Sequence, residues 1–139
     1  MAFVSNGPGV SIDAVLVEFA INDADARRNI SLVDSHRNLA EVVDVLRASS
    51  PACELYLLVT NPAFGRHALR RPRLKDYYDV VRRLAREQGV GLIDTAPAWQ
   101  VALTQKSWRE WMPDGIHPGE EAARQITLPQ VERALGLDV

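Results

Sequence analysis

Cysteine is almost absent from this sequence, and its scarcity closes off two kinds of scaffold. The single thiol, Cys53, cannot form an internal disulfide, and one sulfur cannot build a zinc site from cysteines. Its place just ahead of an apolar run points to a buried, inert thiol rather than a nucleophile. Long hydrophobic runs are missing too. No segment approaches the roughly 20 consecutive apolar residues of a membrane-spanning helix. Residues 1–9 lack the basic start and apolar stretch of a signal peptide. With Met1 as the natural start, the chain is expected in the cytoplasm. Excess charge of either sign is lacking: 16 Lys and Arg against 18 Asp and Glu leave a net charge of −2. No general pull toward nucleic acid or an anionic membrane is therefore expected. No glycine-rich loop follows any predicted strand, which speaks against a phosphate-binding α/β protein. Internal repeats, low-complexity tracts and interdomain linkers are also absent.

What is present suits one domain with its own core: 139 residues, 47% of them hydrophobic and 24% charged. Residues 13–19 (Asp-Ala-Val-Leu-Val-Glu-Phe) are short, β-branched and almost continuously apolar. That is the pattern of a strand buried on both faces of a parallel sheet. Beyond a polar stretch, Leu39, Val42, Val43 and Leu46 recur at helical spacing, with Ser31 or Asp34 as the cap. A second strand over 54–60 stops at Asn61-Pro62. Pro72 then suits the first turn of a helix whose buried face carries Leu74, Tyr77, Val81, Leu84 and Ala85, with Gly89 as its C-cap. Tyr78 is expected to pack in the same helix. A third strand over 90–93 leads to a short helix over 96–103. A last helix begins at Glu120 and is interrupted or ended near Pro129. The order β-α-β-α-β-α predicts right-handed crossovers and a three-layer α/β/α fold, with a flavodoxin-like parallel sheet of about three strands. Ligands of such sheets bind beyond the carboxyl ends of the strands.

Two segments carry chemistry. In Asp114-Gly115-Ile116-His117-Pro118, a carboxylate three residues before an imidazole can accept the Nδ1 proton and leave Nε2 as a general base. The same residues also read as an Asp-Gly turn with Asp as a local cap. Far upstream, Asn22 follows the apolar run in Glu18-Phe19-Ala20-Ile21-Asn22-Asp23. Its amide can donate to an oxyanion, an interaction worth roughly 3–4 kcal/mol of barrier in hydrolases. It can equally close the strand as an Asx-turn, and Asp23 beside it reads as a partner for neighbouring backbone.

Together the segments resemble the SGNH (GDSL-type) hydrolase family. Ala20-Ile21-Asn22-Asp23 is similar to that family's Gly-x-Asn-Asp block, with Ala20 in place of the usual glycine, and Asp114-Gly115-Ile116-His117 to its Asp-x-x-His block. The resemblance runs from about residue 13 to 137. It implies an ester hydrolase for small acyl esters or acylated carbohydrates, free of metal or organic cofactor. An acyl-enzyme would form on a serine, with His117 as base, Asp114 orienting it and Asn22 in the oxyanion hole.

The family's Gly-Asp-Ser turn has no counterpart here, and Ser5 and Ser11 are the only serines upstream of the first strand. The resemblance therefore implies the C-terminal two-thirds of the family fold. The alternative is a non-catalytic α/β binding or assembly module. The first strand would then have an uncovered edge, and a homo-oligomer joined across it is expected. Arg66, His67, Arg70, Arg71 and Arg73 form a basic loop, read either as solvated or as a binding surface for an anion. Trp108 and Trp111 either line a pocket or pack the core. Trp99 is expected in the core, and His36 is assigned nothing specific.

Overall fold

A computed structural model of the chain describes residues 11–137. Ser5 and the rest of the N-terminal decapeptide lie outside the described residues. Three parallel strands, β1 (Ala14–Val17), β2 (Glu54–Val59) and β3 (Gly91–Asp94), form one sheet in the order β1-β2-β3. Helices flank the sheet, which is the α/β arrangement that the alternating pattern predicts. The crossover helices are α2 (Leu32–Ser49) and α4 (Leu74–Gln88). Leu39 and Val43 of α2 meet Tyr77, Val81 and Leu84 of α4 in a core completed by Leu55, Leu57 and Val59 of β2.

Burial along the strands is less symmetric than the sequence suggests. On β2 the residues alternate, with Leu55, Leu57 and Val59 buried and Tyr56 and Leu58 only partly covered. Among the described residues β1 has a strand neighbour on one side only, and Leu16 stays 37% exposed. β1 is also shorter than expected. After Val17 the chain turns into a single helical turn, α1 (Ala20–Asp23), so Asn22 sits on a helix rather than at a strand end. Cys53 is half-buried rather than fully enclosed.

Helix ends follow the sequence closely. The Ser31 side chain accepts from the Asp34 N–H and caps α2. Gly89, at φ +62°, ends α4 in the left-handed region that glycine tolerates best. Two short helices add to the expected ones: α3 (Arg66–Arg70), and α6 (Trp108–Trp111), which starts at a reciprocal Ser107–Glu110 capping box. α5 (Ala96–Gln105) and α6 meet the C-terminal segment in a second core of Trp99, Trp111, Met112, Ala122 and Ile126.

The C-terminal segment does not end at Pro129. After α7 (Glu120–Ala122) the backbone widens into a π-helical stretch over Ala123–Thr127, and α8 (Leu128–Ala134) restarts with proline in its first turn. A proline ring collides with the carbonyl four residues back and has no N–H to donate. The wider turn relieves the collision, and a new helix start needs no donor there. None of the helices in the described residues is long and apolar enough to cross a membrane.

Tyr56 and Gly91 are direct partners across β2 and β3. A Cβ at Gly91 would lie 2.3 Å from Tyr56 Cδ1 and 2.6 Å from Cε1. The ring has little freedom to retreat, because its hydroxyl bonds Glu54 Oε2 at 2.8 Å and the Ala134 carbonyl at 3.1 Å. Gly91→Ala is therefore expected to destabilise the fold by about 1–3 kcal/mol in denaturant titration. An unchanged midpoint would show that the ring moves freely.

Candidate active site

The residues that bear chemistry gather at the carboxyl edge of the sheet. Just past β2, Asn61 is buried at 6% exposure. Its Nδ2 donates to the Ile116 carbonyl at 2.7 Å and lies 3.0 Å from the Pro62 carbonyl and 3.3 Å from Met112 Sδ. Its own carbonyl accepts from the Tyr78 hydroxyl at 2.6 Å, which ties the same residue to α4. A second strap joins the segments: the Phe64 N–H donates to the Gly115 carbonyl at 2.8 Å. Gly115 has φ +88°, and a Cβ there would stand 2.8 Å from the Phe64 carbonyl oxygen. Only glycine fits that turn without displacing backbone.

Held this way, the loop brings Asp114 and His117 together. Asp114 Oδ1 accepts the N–H groups of Ile116 at 2.9 Å and His117 at 2.8 Å, while Oδ2 faces His117 Nδ1 at 2.5 Å. The His117 backbone N–H, then the His117 ring, then the Ile116 N–H hold the Asp114 carboxyl well below the usual carboxylate range. Asp114 is thus an anion at neutral pH and selects the Nδ1–H tautomer, which leaves Nε2 basic. The imidazole is open to solvent, its side chain 82% exposed. Asp114 caps the turn with one oxygen and meets the ring with the other.

Asn22 lies on the same edge, beyond the end of β1, and is exposed. Its backbone is fixed on several sides. The Asn22 N–H donates to the Phe19 carbonyl at 3.0 Å, and Glu18 Oε1 accepts from the Ile21 N–H at 3.2 Å. Burial pushes the Glu18 carboxyl up. Arg71 Nε donates at 2.6 Å to the Ile21 carbonyl, the oxygen of the peptide that leads into Asn22. Arg71 also pairs at 3.5 Å with Asp25, which is 2% exposed and bound by Arg27 through Nε at 2.9 Å and Nη2 at 2.6 Å. The Arg27 guanidinium is the main reason that the Asp25 carboxyl falls well below the usual range. Arg71 is therefore no part of a solvated loop but a buried strut of the Asn22 segment. Asp23 likewise departs from expectation, accepting from the Ser35 hydroxyl of α2 at 2.8 Å rather than from nearby backbone.

His67 lies beside Arg71. Arg71 Nη1 is 3.5 Å from both its Nδ1 and its carbonyl. Its ring feels burial first, then Arg66 and Arg71, all lowering its pKa, while Asp114 pulls the other way. Trp111 belongs to the core, whereas Trp108 is half-buried and stacks on Phe64 with centroids 5.2 Å apart. His36 has a role after all: its Nε2 meets Glu87 at 2.7 Å and joins α2 to α4. Ser11 is exposed, and no serine among the described residues hydrogen-bonds the His117 ring. No group of three or more His, Cys, Asp or Glu among those residues converges on a point where a metal could sit. An open cleft of about 520 Å³ lies at the opposite edge, where β2 and β3 begin, away from these groups.

A three-stranded parallel sheet flanked by helices, with an Asp–His pair looped over its carboxyl edge, is a reduced α/β fold of the GDSL-like kind. The chain belongs to the GDSL-like lipase/acylhydrolase family, whose model matches residues 3–125. Among solved structures it is similar to a GDSL-like lipase from Parabacteroides merdae, at TM-score 0.77 and 17% identity, covering 91% of this chain and 61% of that one. It is also similar to Axe2, an acetylxylan esterase from Geobacillus stearothermophilus (TM-score 0.68, 19% identity, 90% and 59% covered). LAE5, an α/β hydrolase from the Lake Arreo metagenome, gives TM-score 0.67 and 24% identity, with 91% and 60% covered. At such identities the likeness is one of fold. The chain spans about three-fifths of the length of these structures. No curated protein sequence matches it.

Sequence reading missed Asn61, which looks like a strand-ending Asn-Pro, and Arg71, which looks like one cation among several. Removing the Asn61 amide leaves the Ile116 carbonyl buried without its donor. Asn61→Ala is expected to destabilise by about 1–3 kcal/mol and to speed hydrogen exchange at the Phe64 amide, whose bond to Gly115 depends on the same loop. Exchange unchanged at Phe64 would mean that the loop holds its place without Asn61.

Proposed function

We propose that this chain carries the base and oxyanion half of an esterase that works by acyl transfer to serine. The observation that supports it most is the 2.5 Å contact between Asp114 Oδ2 and His117 Nδ1, with the other carboxylate oxygen locked by two backbone N–H groups. In this reading, a serine Oγ attacks the ester carbonyl while His117 Nε2 takes its proton. The Asp114 carboxylate steadies the imidazolium, and the Asn22 amide donates to the oxyanion of the tetrahedral intermediate. Collapse expels the alcohol, which receives the proton from His117. Water then attacks the acyl-enzyme with His117 again as base, releasing the acid and restoring serine. The substrate is a small acyl or acetyl ester, including one on a carbohydrate, as for the acetylxylan esterase that shares the fold.

The nucleophile in this reading lies outside residues 11–137, because no described serine bonds the His117 ring. The same observation favours a second reading, in which the chain binds or assembles without catalysing. Labelling the purified chain with a fluorophosphonate, read by intact mass, separates the two. An adduct on serine that His117→Ala abolishes supports the esterase. A folded chain that takes up no label favours a fragment whose serine lies on another segment, or the binding or assembly module.

The reading includes self-association across β1, whose outer edge has no strand partner among the described residues and which is followed by Phe19, 50% exposed. Light scattering at micromolar concentration is expected to give a dimer or larger species. A monomer there removes this part of the reading.

A further inference from the structure

The outer edge of β1 is bordered by apolar side chains open to solvent: Ile12 is 39% exposed, Leu16 37% and Phe19 50%. A second copy covers such an edge by running antiparallel to it across a two-fold axis. Directly opposed residues share a face of the sheet, and the two-fold keeps each residue on its own face. The axis therefore passes where a residue faces its own copy. Leu16 suits that position, because an exposed apolar side chain is then buried against itself. With Leu16 facing Leu16, Val15 faces Val17 and Asp13 faces Phe19. The extended run reaches upstream at least to Asp13, whose carbonyl accepts from the Glu54 N–H at 2.9 Å. Two residues further, Ser11 of the second copy comes level with Ile21. An axis at Val15 brings the same serine level with Phe19. Both registers deliver Ser11 to the turn that carries Asn22.

The base lies on the same side of the molecule. Ile116, the residue before His117, is buried in the core that also holds Ala20 and Ile21. Along an extended chain Ser11 shares the face of Val15 and Val17, which pack in that core with Leu39 and Val43 of α2. On this face a recess of about 210 Å³, lined by Phe19, Asp23, Asn38, Leu39 and Val42, adjoins the Asn22 turn. A serine arriving there meets space for a substrate rather than a packed surface. The esterase reading takes its nucleophile from outside residues 11–137 of the chain that bears His117, and a second copy meets that condition. We propose that Ser11 of each copy is the nucleophile of the other copy's site, in a dimer joined through antiparallel β1 edges. The proposal rests on the esterase reading and on the self-association above, and names what the second copy contributes. Ser11 Oγ bonds the acyl carbon of the ester while its proton passes to the partner's His117 Nε2. The bond from that carbon to the alcohol oxygen then breaks, and the alcohol leaves with the proton. Water, deprotonated by the same imidazole, cleaves the acyl–Ser11 ester and releases the acid, and the proton returns to Oγ.

Complementation between two defective copies tests this. Ser11→Ala and His117→Ala chains carry different affinity tags, and both side chains are exposed, so neither change disturbs the core. Each variant alone, and the mixed pair isolated through both tags after co-expression, is treated with a fluorophosphonate and read by intact mass. The unsubstituted chain is expected to be labelled on Ser11, and each variant alone at least about a hundredfold more slowly. The mixed pair is expected to regain the label on its His117→Ala chain, which keeps Ser11 and faces the partner's intact His117. A site built within one chain cannot give that pattern. A label that maps to another serine, or that Ser11→Ala takes as fast as the unsubstituted chain, overturns the assignment and leaves the esterase reading standing. So does a mixed pair without label while the unsubstituted chain is labelled. Failure to isolate any mixed pair overturns the shared site. No label on the unsubstituted chain removes Ser11 as nucleophile, and the esterase reading then needs a serine from a different polypeptide.

Discussion

The candidate site depends on one side-chain amide reaching one carbonyl. Asn61 stands where β2 gives out, and its bond to the Ile116 oxygen holds the following chain over the sheet edge. A loop without regular structure has to satisfy its backbone groups one by one. Here the sheet end supplies partners through Asn61 and Phe64, Asp114 supplies two from within the loop, and the Met112 and Trp111 carbonyls accept from Gly115 and Gly119. The Asp114–His117 contact is therefore the last link of a chain that starts in the buried core. Tyr78 completes that chain by bonding the Asn61 carbonyl from α4, so the helix packing and the loop position are set together.

The Asn22 segment has an anchor of a different kind. Arg71 is a buried cation, and burial of a charge is tolerated only with a nearby countercharge and bonded N–H groups. Asp25 supplies the first and the Ile21 carbonyl the second. Because that carbonyl belongs to the peptide preceding Asn22, the electrostatic need of Arg71 becomes a geometric constraint on Asn22. Two segments that are distant in sequence are thus tied to the residues between β2 and α4.

The strand and helix order was legible because hydrophobic period and terminal residues agreed with one another. Ser31, Gly89 and the Asn61-Pro62 stop all fall where side-chain or backbone chemistry marks an end. The Asp–His contact was legible because the three-residue spacing confines it to one turn. What could not be read depends on tertiary partners. Nothing local distinguishes buried Arg71 from exposed Arg73, or clamping Asn61 from an ordinary strand terminator. Asn22 looked like a strand-end residue because the apolar run continues to Phe19. β1 instead ends at Val17, where the chain turns into α1. Pro129 signalled a break correctly in kind, but the chain met it with a wider helix rather than with a stop.

The straps on the Asp114–His117 loop grip main-chain atoms: the carbonyls of Gly115 and Ile116 and the amide of Phe64. Such a clamp is indifferent to most side chains it carries. Exposed Pro113 beside it takes no part in these bonds, so a change of side chain there leaves the base in register with the sheet. Gly115 is the exception, fixed by its own backbone angle and by the Phe64 oxygen. A scaffold of this design separates what it recognises from how it is aligned, and lets the first evolve without disturbing the second.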